Sequence, residues 1–329
     1  MPIESLPDHY EWFSDQIAGH HPSVIKNGRR EIGLLKFPGS KEILKPKQDA
    51  ERGDREVALY QLLAGPSCRL RNSTRSATKS SLEEVDDMAV GESASNASIA
   101  SSSVGEEESV SAYFEEVRAD DVETLRELTV NFYGLQILPI DGETHEFMIL
   151  EDVTASYRLP AILDVKMGLV TYDPNASESK KTKETVKYPP QAFLGCRLLG
   201  YRIHAAPGQV VVRDKDWGKS FDEKTFPNGL REFFSGRSGA PDQNQAMREV
   251  VHEAITALEP IRQFFKDQRS FQFFASSLLF VYEADITKPI RMRIVMIDFS
   301  HAFSSSGKPD ENYLAGLEKL NQELENFLV

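Results

Sequence analysis

One nine-residue run limits the architecture of this chain more than any other: Pro160-Ala-Ile-Leu-Asp164-Val-Lys166-Met-Gly168. Its apolar content predicts a strand, and side chains two apart on a strand share a face. Asp164 and Lys166 therefore point the same way with Ile162 beside them, while Leu163 and Val165 pack behind. A carboxylate and an ammonium on an otherwise apolar strand need polar partners or a cleft in front of them. Gly168 permits a tight turn or a close approach of backbone to a ligand. By spacing alone the pair suits a strand-end salt bridge as well as a binding site.

A chain of 329 residues exceeds the usual size of one hydrophobic core, so two lobes with a cleft between them are expected. Residues 31–36 and 41–44 read as short strands, and residues 53–63 as a helix with Val57, Tyr60 and Leu63 on one face. Residues 147–150, 161–165 and 294–299 read as further strands, and residues 245–267 as a long amphipathic helix. The composition changes abruptly at residues 67–111, which are rich in Ser, Asp and Glu and hold no aromatic residue. Such a stretch cannot bury enough apolar surface to offset its ordering entropy, so it reads as a disordered insertion. It could take phosphate or dock protein partners. The predicted division is 1–150 for a first lobe that carries the insertion and 151–329 for a second.

With 40% hydrophobic and 27% charged residues, and no apolar run near the ~20 residues a membrane helix needs, a soluble protein without a membrane span is expected. The first residues contain Glu4 and Asp8 and no apolar stretch after a basic one, which points to cytoplasm or nucleus. Cys68 and Cys196 make neither a disulfide framework nor a zinc site. A net charge of −13 opposes direct nucleic-acid binding, so any polyanionic ligand needs a local basic patch. Lys180, Lys183 and Lys187 supply one, at the i, i+3, i+7 spacing of a helix face; a solvated face has the same pattern. The chain has no G-x-x-x-x-G-K-[ST], G-x-G-x-x-G or H-R-D motif, against a P-loop enzyme or an ordinary protein kinase.

The pattern P-x-x-x-D-x-K-x-G at residues 160–168 resembles the signature of the inositol polyphosphate kinase family. Two further motifs follow in that family's order, Ser276-Ser277-Leu278-Leu279 and Ile297-Asp298-Phe299. The resemblance covers residues 34–63 and 132–303, and Tyr172-Asp-Pro-Asn-Ala-Ser177 with Lys187-Tyr-Pro189 is most similar to its multikinase subgroup. It implies an α+β, two-lobed kinase-like fold with an antiparallel sheet in each lobe and the ATP site in the interlobe cleft. It further implies a hinge whose backbone at Glu151 and Val153 meets adenine, Lys45 on the nucleotide phosphates, Asp164 at the ribose and Leu279 beside the nucleotide. Asp298 closes the apolar run 294–297 and reads as a buried strand-end carboxylate, and the resemblance implies that it holds Mg2+ together with Ser277. Lys166 would contact the transferred group, and Arg52, Lys180, Lys183, Lys187 and His301 the inositol polyphosphate. A trisphosphate 3-kinase, a hexakisphosphate kinase and a non-catalytic scaffold with the same fold remain open alternatives.

Overall fold

The computed structural model describes residues 6–17, 25–26, 29–30, 32–65, 110 and 112–329. Residues 67–111, read as a disordered insertion, lie outside the described residues apart from Val110.

The first sheet is built from β1 (Glu11–Trp12), β4 (Leu35–Lys36), β5 (Glu42–Pro46), β6 (Phe132–Ile140) and β7 (Glu143–Glu151), in the order β1-β4-β5-β7-β6. β2 (Ile25–Lys26) and β3 (Arg29–Arg30) form a separate hairpin. The expected strand at 31–36 is thus much shorter in the sheet, because only Leu35 and Lys36 pair with β5. One face of this sheet closes a small cluster of Leu35, Leu44, Leu138, Ile140 and Phe147. The other face, through Met148 and Leu150, joins the large core together with α1 (Glu51–Ala64) and α2 (Ala119–Glu127). In α1 the predicted stripe of Val57, Tyr60 and Leu63 is buried as the 3.6-residue period requires.

The second sheet follows from β8 (Pro160–Met167), the strand of the signature run. After α3 (Glu178–Lys187) and the single turn α4 (Gln191–Leu194) come β9 (Cys196–Ala206) and β10 (Gln209–Arg213). Helices α5 (Lys215–Lys219), α6 (Phe226–Phe234) and α7 (Gln243–Asp267) lead to β11 (Phe271–Phe273), β12 (Ser277–Glu283), β13 (Met292–Ile297) and β14 (Ala302–Ser304). The strand order is β10-β9-β8-β12-β13, with β8 and β12 inside. Every pair in both five-stranded sheets is antiparallel, so the chain has the α+β architecture with one five-stranded antiparallel sheet in each lobe, and β11 pairs with β14 apart from them. Residues buried on both faces of β8, such as Ile162 on one and Leu163 on the other, explain its continuous apolar pattern.

The C-terminal helix α8 (Glu311–Glu325) packs along α7 and reaches the end of β8. Of the two uses expected for Gly168, a tight turn or a close approach to a ligand, the structure shows the turn, packed against this helix. Its φ is +100°, and a Cβ there would stand 2.7 Å from Asn312 Nδ2. Asn312 in turn brackets Val170, accepting from its N–H at 2.8 Å and donating to its carbonyl at 3.0 Å. Among the described residues no helix is long and apolar enough to cross a membrane.

Candidate functional site

A deep cleft lies between the two sheets. Its apolar walls come from Leu34, Ile43, Leu150, Ile162, Leu279 and Ile297. Leu279 faces Asp164 across the β12–β8 pair, which sets the boundary between apolar wall and charged floor. At the back, β7 runs out into Glu151, Asp152 and Val153. The Glu151 N–H already donates to Asn131 O at 2.9 Å, so a base edge could use its carbonyl but not its amide. The Glu151 carboxylate pairs with Arg293 on β13 and accepts from Asn131 Nδ2 at 2.9 Å, tying the first sheet to the second. These contacts hold Glu151 below the usual carboxylate range, the Arg293 hydrogen bonds most of all. Asp152 is held by Lys36 and by Thr154 N–H at 2.8 Å, which fixes the turn that presents Val153 to the cleft.

At the inner end Lys45 lies within β5, not at its end, and its Nζ sits 2.7 Å from Glu56 Oε1 and 2.5 Å from Asp298 Oδ1. Burial disfavours this ammonium, yet the Asp298 and Glu56 carboxylates outweigh it and its pKa is raised. Glu56 is fully buried on α1 and also accepts from Phe299 N–H at 3.2 Å, so one side chain joins α1, β5 and the loop after β13. Asp298 differs from the buried strand-end carboxylate expected. The strand stops at Ile297, Asp298 has φ +66°, and its side chain is 40% exposed. The left-handed turn swings the carboxylate out of the sheet toward Lys45.

Asp164 and Lys166 share the cleft side of β8 as the alternation predicted. The Asp164 carboxyl is buried, Oδ1 has no hydrogen-bond partner, and burial first and Asp298 second push its pKa up to about 7. Ser277 sits between Lys166 on β8 and Ile297 on β13, and its buried hydroxyl, short of full hydrogen-bond geometry, still reaches the Asp164 carboxyl and tempers its rise. Lys166 donates to Ala275 O at 2.8 Å. Burial lowers its pKa, against the pull of Asp298 and Asp164 and with the push of Arg197.

Arg197 was not anticipated. It is the cross-strand neighbour of Lys166, is only 4% exposed, and stacks 5.6 Å from the Tyr188 ring centroid. Its buried Nε has no partner, and burial lowers its pKa. A buried guanidinium without a carboxylate is costly, and such groups mark ligand sites. No spacing in the sequence reveals it, because the signal is register. A bulge between Asp164 and Val165 sets which β9 residue lies opposite Lys166. Glu56 did leave a trace, since it falls on the buried stripe of α1 one turn before Tyr60.

The lysine helix exists as α3, capped by Ser177 and with no buried residue. Its positive face is more neutralised than the bare spacing suggested: Lys180 Nζ binds Asp173 Oδ2 at 2.9 Å and Lys187 Nζ lies 3.3 Å from Glu184 Oε1. Lys183 is exposed. Lys187 still repels Lys166, so the end of the helix borders the charged floor. Asp173 also draws in His301, whose Nδ1 is 3.1 Å away without hydrogen-bond geometry. Burial first, then Lys180, lowers His301 to about 4, with Arg52 and Lys166 adding to the push. Arg52 itself bonds Gln48. The structure thus gathers Lys45, Asp164, Lys166, Ser277 and Asp298 at the inner end, and sets Arg52, Lys180, Lys187 and His301 about it. Among the described residues no group of three or more His, Cys, Asp or Glu is arranged to hold a metal ion.

Comparison with known proteins gives three findings. A family model described as inositol polyphosphate kinase matches residues 147–325. Inositol polyphosphate multikinase of Homo sapiens is 26% identical over 296 residues, which cover 90% of this chain and 56% of that protein. Inositol hexakisphosphate kinase 3 of Mus musculus is 27% identical over 205 residues, 55% of this chain and 50% of that one. The chain spans about half the length of the curated relatives it matches. Among solved structures, the inositol phosphate multikinase Ipk2 of S. cerevisiae, in complex with ADP and Mn2+, superposes with a TM-score of 0.54 at 21% identity. That match covers 62% of this chain and 91% of the yeast chain, and shows a common fold.

Proposed function

The chain belongs to the inositol polyphosphate kinase family, and from that premise we propose that it transfers the γ-phosphoryl group of ATP to hydroxyls of inositol polyphosphates. The observation that carries this reading is the meeting of Lys45, Asp164 and Asp298 in the lining of an apolar cleft, with Lys166 next to them along β8 and Arg197, whose buried Nε has no partner, across from Lys166. The cleft walls suit a flat apolar base, with the Glu151 carbonyl and the Val153 amide as edge partners. Lys45, already fixed by Glu56, is placed to meet the nucleotide phosphates, and Asp164 the ribose hydroxyls.

Asp298 and Ser277, with the unpartnered Asp164 Oδ1 nearby, offer the oxygen donors that a hard divalent cation takes. The yeast relative's complex with ADP and Mn2+ supports a nucleotide and a divalent ion here, and Mg2+ is the ion we assign. Bound there, it neutralises phosphate charge. Transfer forms a bond from the acceptor oxygen to the γ-phosphorus as the bond to the β–γ bridging oxygen breaks, releasing ADP, and the proton of the acceptor hydroxyl is lost to water. Catalysis is then chiefly positioning and charge neutralisation, with Lys166 at the group in flight. Arg197, Lys180, Lys183, Lys187, Arg52 and His301 supply the acceptor's phosphate contacts, and the cytoplasm or nucleus is where such substrates are met.

The test is incubation of the purified protein with ATP, Mg2+ and a panel of inositol phosphates, with product isomers resolved by chromatography. ADP release coupled to phosphorylation of tris- and tetrakisphosphates is expected. Failure to phosphorylate any member of the panel would overturn the reading.

A further inference from the structure

The cleft has a wall that belongs to neither sheet. Leu6, Tyr10 and Trp12 pack on the small cluster of the first lobe, and β1 pairs with β4. Beyond β1 the chain crosses the mouth of the cleft. Phe13 N–H donates to Leu34 O at 2.9 Å, Leu34 N–H donates to Gln16 Oε1 at 3.1 Å, and the Lys36 ammonium lies 5.4 Å from the Phe13 ring centroid. The far end is fastened to the second lobe. Asp15 Oδ1 lies 2.9 Å from His204 Nε2 and 3.1 Å from Arg202 Nε, both on β9. Ile17 packs against the large core beside Gly200, where a Cβ would approach Ile17 Cγ2 to 3.2 Å. Between these anchors Phe13, Asp15, Gln16 and Ile17 line the same cavity as Ile43, Val153 and Leu279.

We propose that residues 13–17 are a strap that contacts the bound nucleotide and, latched by Asp15 to His204 and Arg202, sets how fast it leaves. The inference deepens the proposed function and rests on its nucleotide reading of the cleft. A segment anchored on both lobes must let go of one before the cleft can open there. The lobe-to-lobe anchor is the weaker one, since its polar part is a single carboxylate on two side chains, whereas the first-lobe anchor has a strand pair and backbone hydrogen bonds. Short segments held by few polar contacts open at low free energy, and release of nucleotide through them can limit turnover. Phe13 adds an apolar surface opposite Leu279 and Val153.

Dissociation of a fluorescent ADP analogue from the full chain, followed by stopped flow, tests the latch. Asp15→Asn is expected to speed dissociation about tenfold, the scale of one charge-assisted hydrogen bond. Phe13→Ala is expected to weaken equilibrium binding several-fold, and amide hydrogen exchange of residues 13–17 in the wild type should slow when ADP is added. The exchange measurement decides the matter if either variant fails to fold. Unchanged exchange in the wild type, or dissociation from a folded Asp15→Asn variant at the wild-type rate, overturns the strap. If the wild type binds the analogue and the exchange and dissociation results are as expected, yet it phosphorylates no inositol phosphate, the strap stands and the proposed acceptor falls. If it binds no adenine nucleotide, both fall.

Discussion

The hinge side of the cleft and its inner end are built on opposite rules. At the hinge, Glu151 is paired with Arg293 and Asn131, and Asp152 with Lys36 and Thr154, so both carboxylates are satisfied by the protein itself. At the inner end Lys45 is paired with Glu56 and Asp298, but Arg197 Nε is buried without a hydrogen-bond partner and the buried Asp164 carboxyl has only a poorly aligned Ser277 hydroxyl. The pKa shifts follow the same division. Glu151 is pulled down by its partners, whereas Asp164 is pushed up and Lys166 and Arg197 pushed down by burial. Buried polar groups are nearly always satisfied in a finished core. One region therefore shapes the molecule, and the other keeps a standing electrostatic cost that a ligand with phosphates and a cation can relieve.

The largest effect is expected where the two regions' logic meets the chemistry. Asp298→Ala should lower kcat about 10²–10³-fold, the scale of losing one preorganised electrostatic contact. Lys45 keeps Glu56 at 2.7 Å, and the lost side chain is 40% exposed, so the melting temperature should move little. A variant retaining more than about a tenth of wild-type kcat, or one tenfold step of ~1.4 kcal/mol, would remove Asp298 from the reacting centre.

Arg197→Met sharpens the contrast by separating stability from binding. Replacing an unpaired buried cation with an apolar side chain of similar length should leave the melting temperature unchanged or raise it. The KM for the inositol phosphate should rise about tenfold or more, because charge-assisted contacts are lost. Thermal melts and steady-state kinetics on the same preparation check both. A lower melting temperature with an unchanged KM would make Arg197 a structural residue.

Asp164→Asn addresses the same cost through pH. The folded carboxyl titrates near 7, above its ordinary 3.8, so between about pH 4 and 7 the folded state binds more protons than the unfolded one. This group alone makes stability fall as pH rises through that window and then level off. His301, lowered to about 4, works in the other direction over the lower part of the window. The difference between wild type and variant isolates Asp164: unliganded Asp164→Asn should gain on the wild type as pH rises from 4 to 7. Parallel melting curves across that range would show the carboxyl to be ordinary.

The smallest effect belongs to the solvated helix. Lys183→Ala should raise the KM for the inositol phosphate about twofold to fivefold and leave the KM for ATP unchanged, since exposed charges contribute little. Salt at molar strength should erase the difference. Equal KM values at low salt would leave α3 a mere surface.

What could be read beforehand follows the range of the signal. Alternation exposed Asp164 and Lys166 within nine residues, and helical periodicity placed α1 and α7, because each pattern is local. Arg197 depended on a β9–β8 register that a bulge resets, and Glu56 on a helix packing against β5 and the loop after β13. The lysine face was visible but its neutralisation was not, since Asp173 precedes α3 and is brought to Lys180 only by the turn between them. Asp298 was found by its motif, while the left-handed turn that exposes it could not be read from apolar residues before it.

The join between Gly168 and Asn312 gives the chain a timetable. The signature strand lies at the middle of the sequence, and every charged group of the cleft lies at or before residue 301. By then the end of β8 is held by Gly195, which accepts from Gly168 N–H at 2.8 Å, and by Gln191, which donates to Gly168 O at 2.6 Å, while Asn312, which brackets Val170, comes later. Chains emerge from the N-terminus at a few to some tens of residues per second. All five strands of the second sheet and the charged residues of the cleft are thus in the chain before α8, which makes that helix the last piece of the sheet's support to be made.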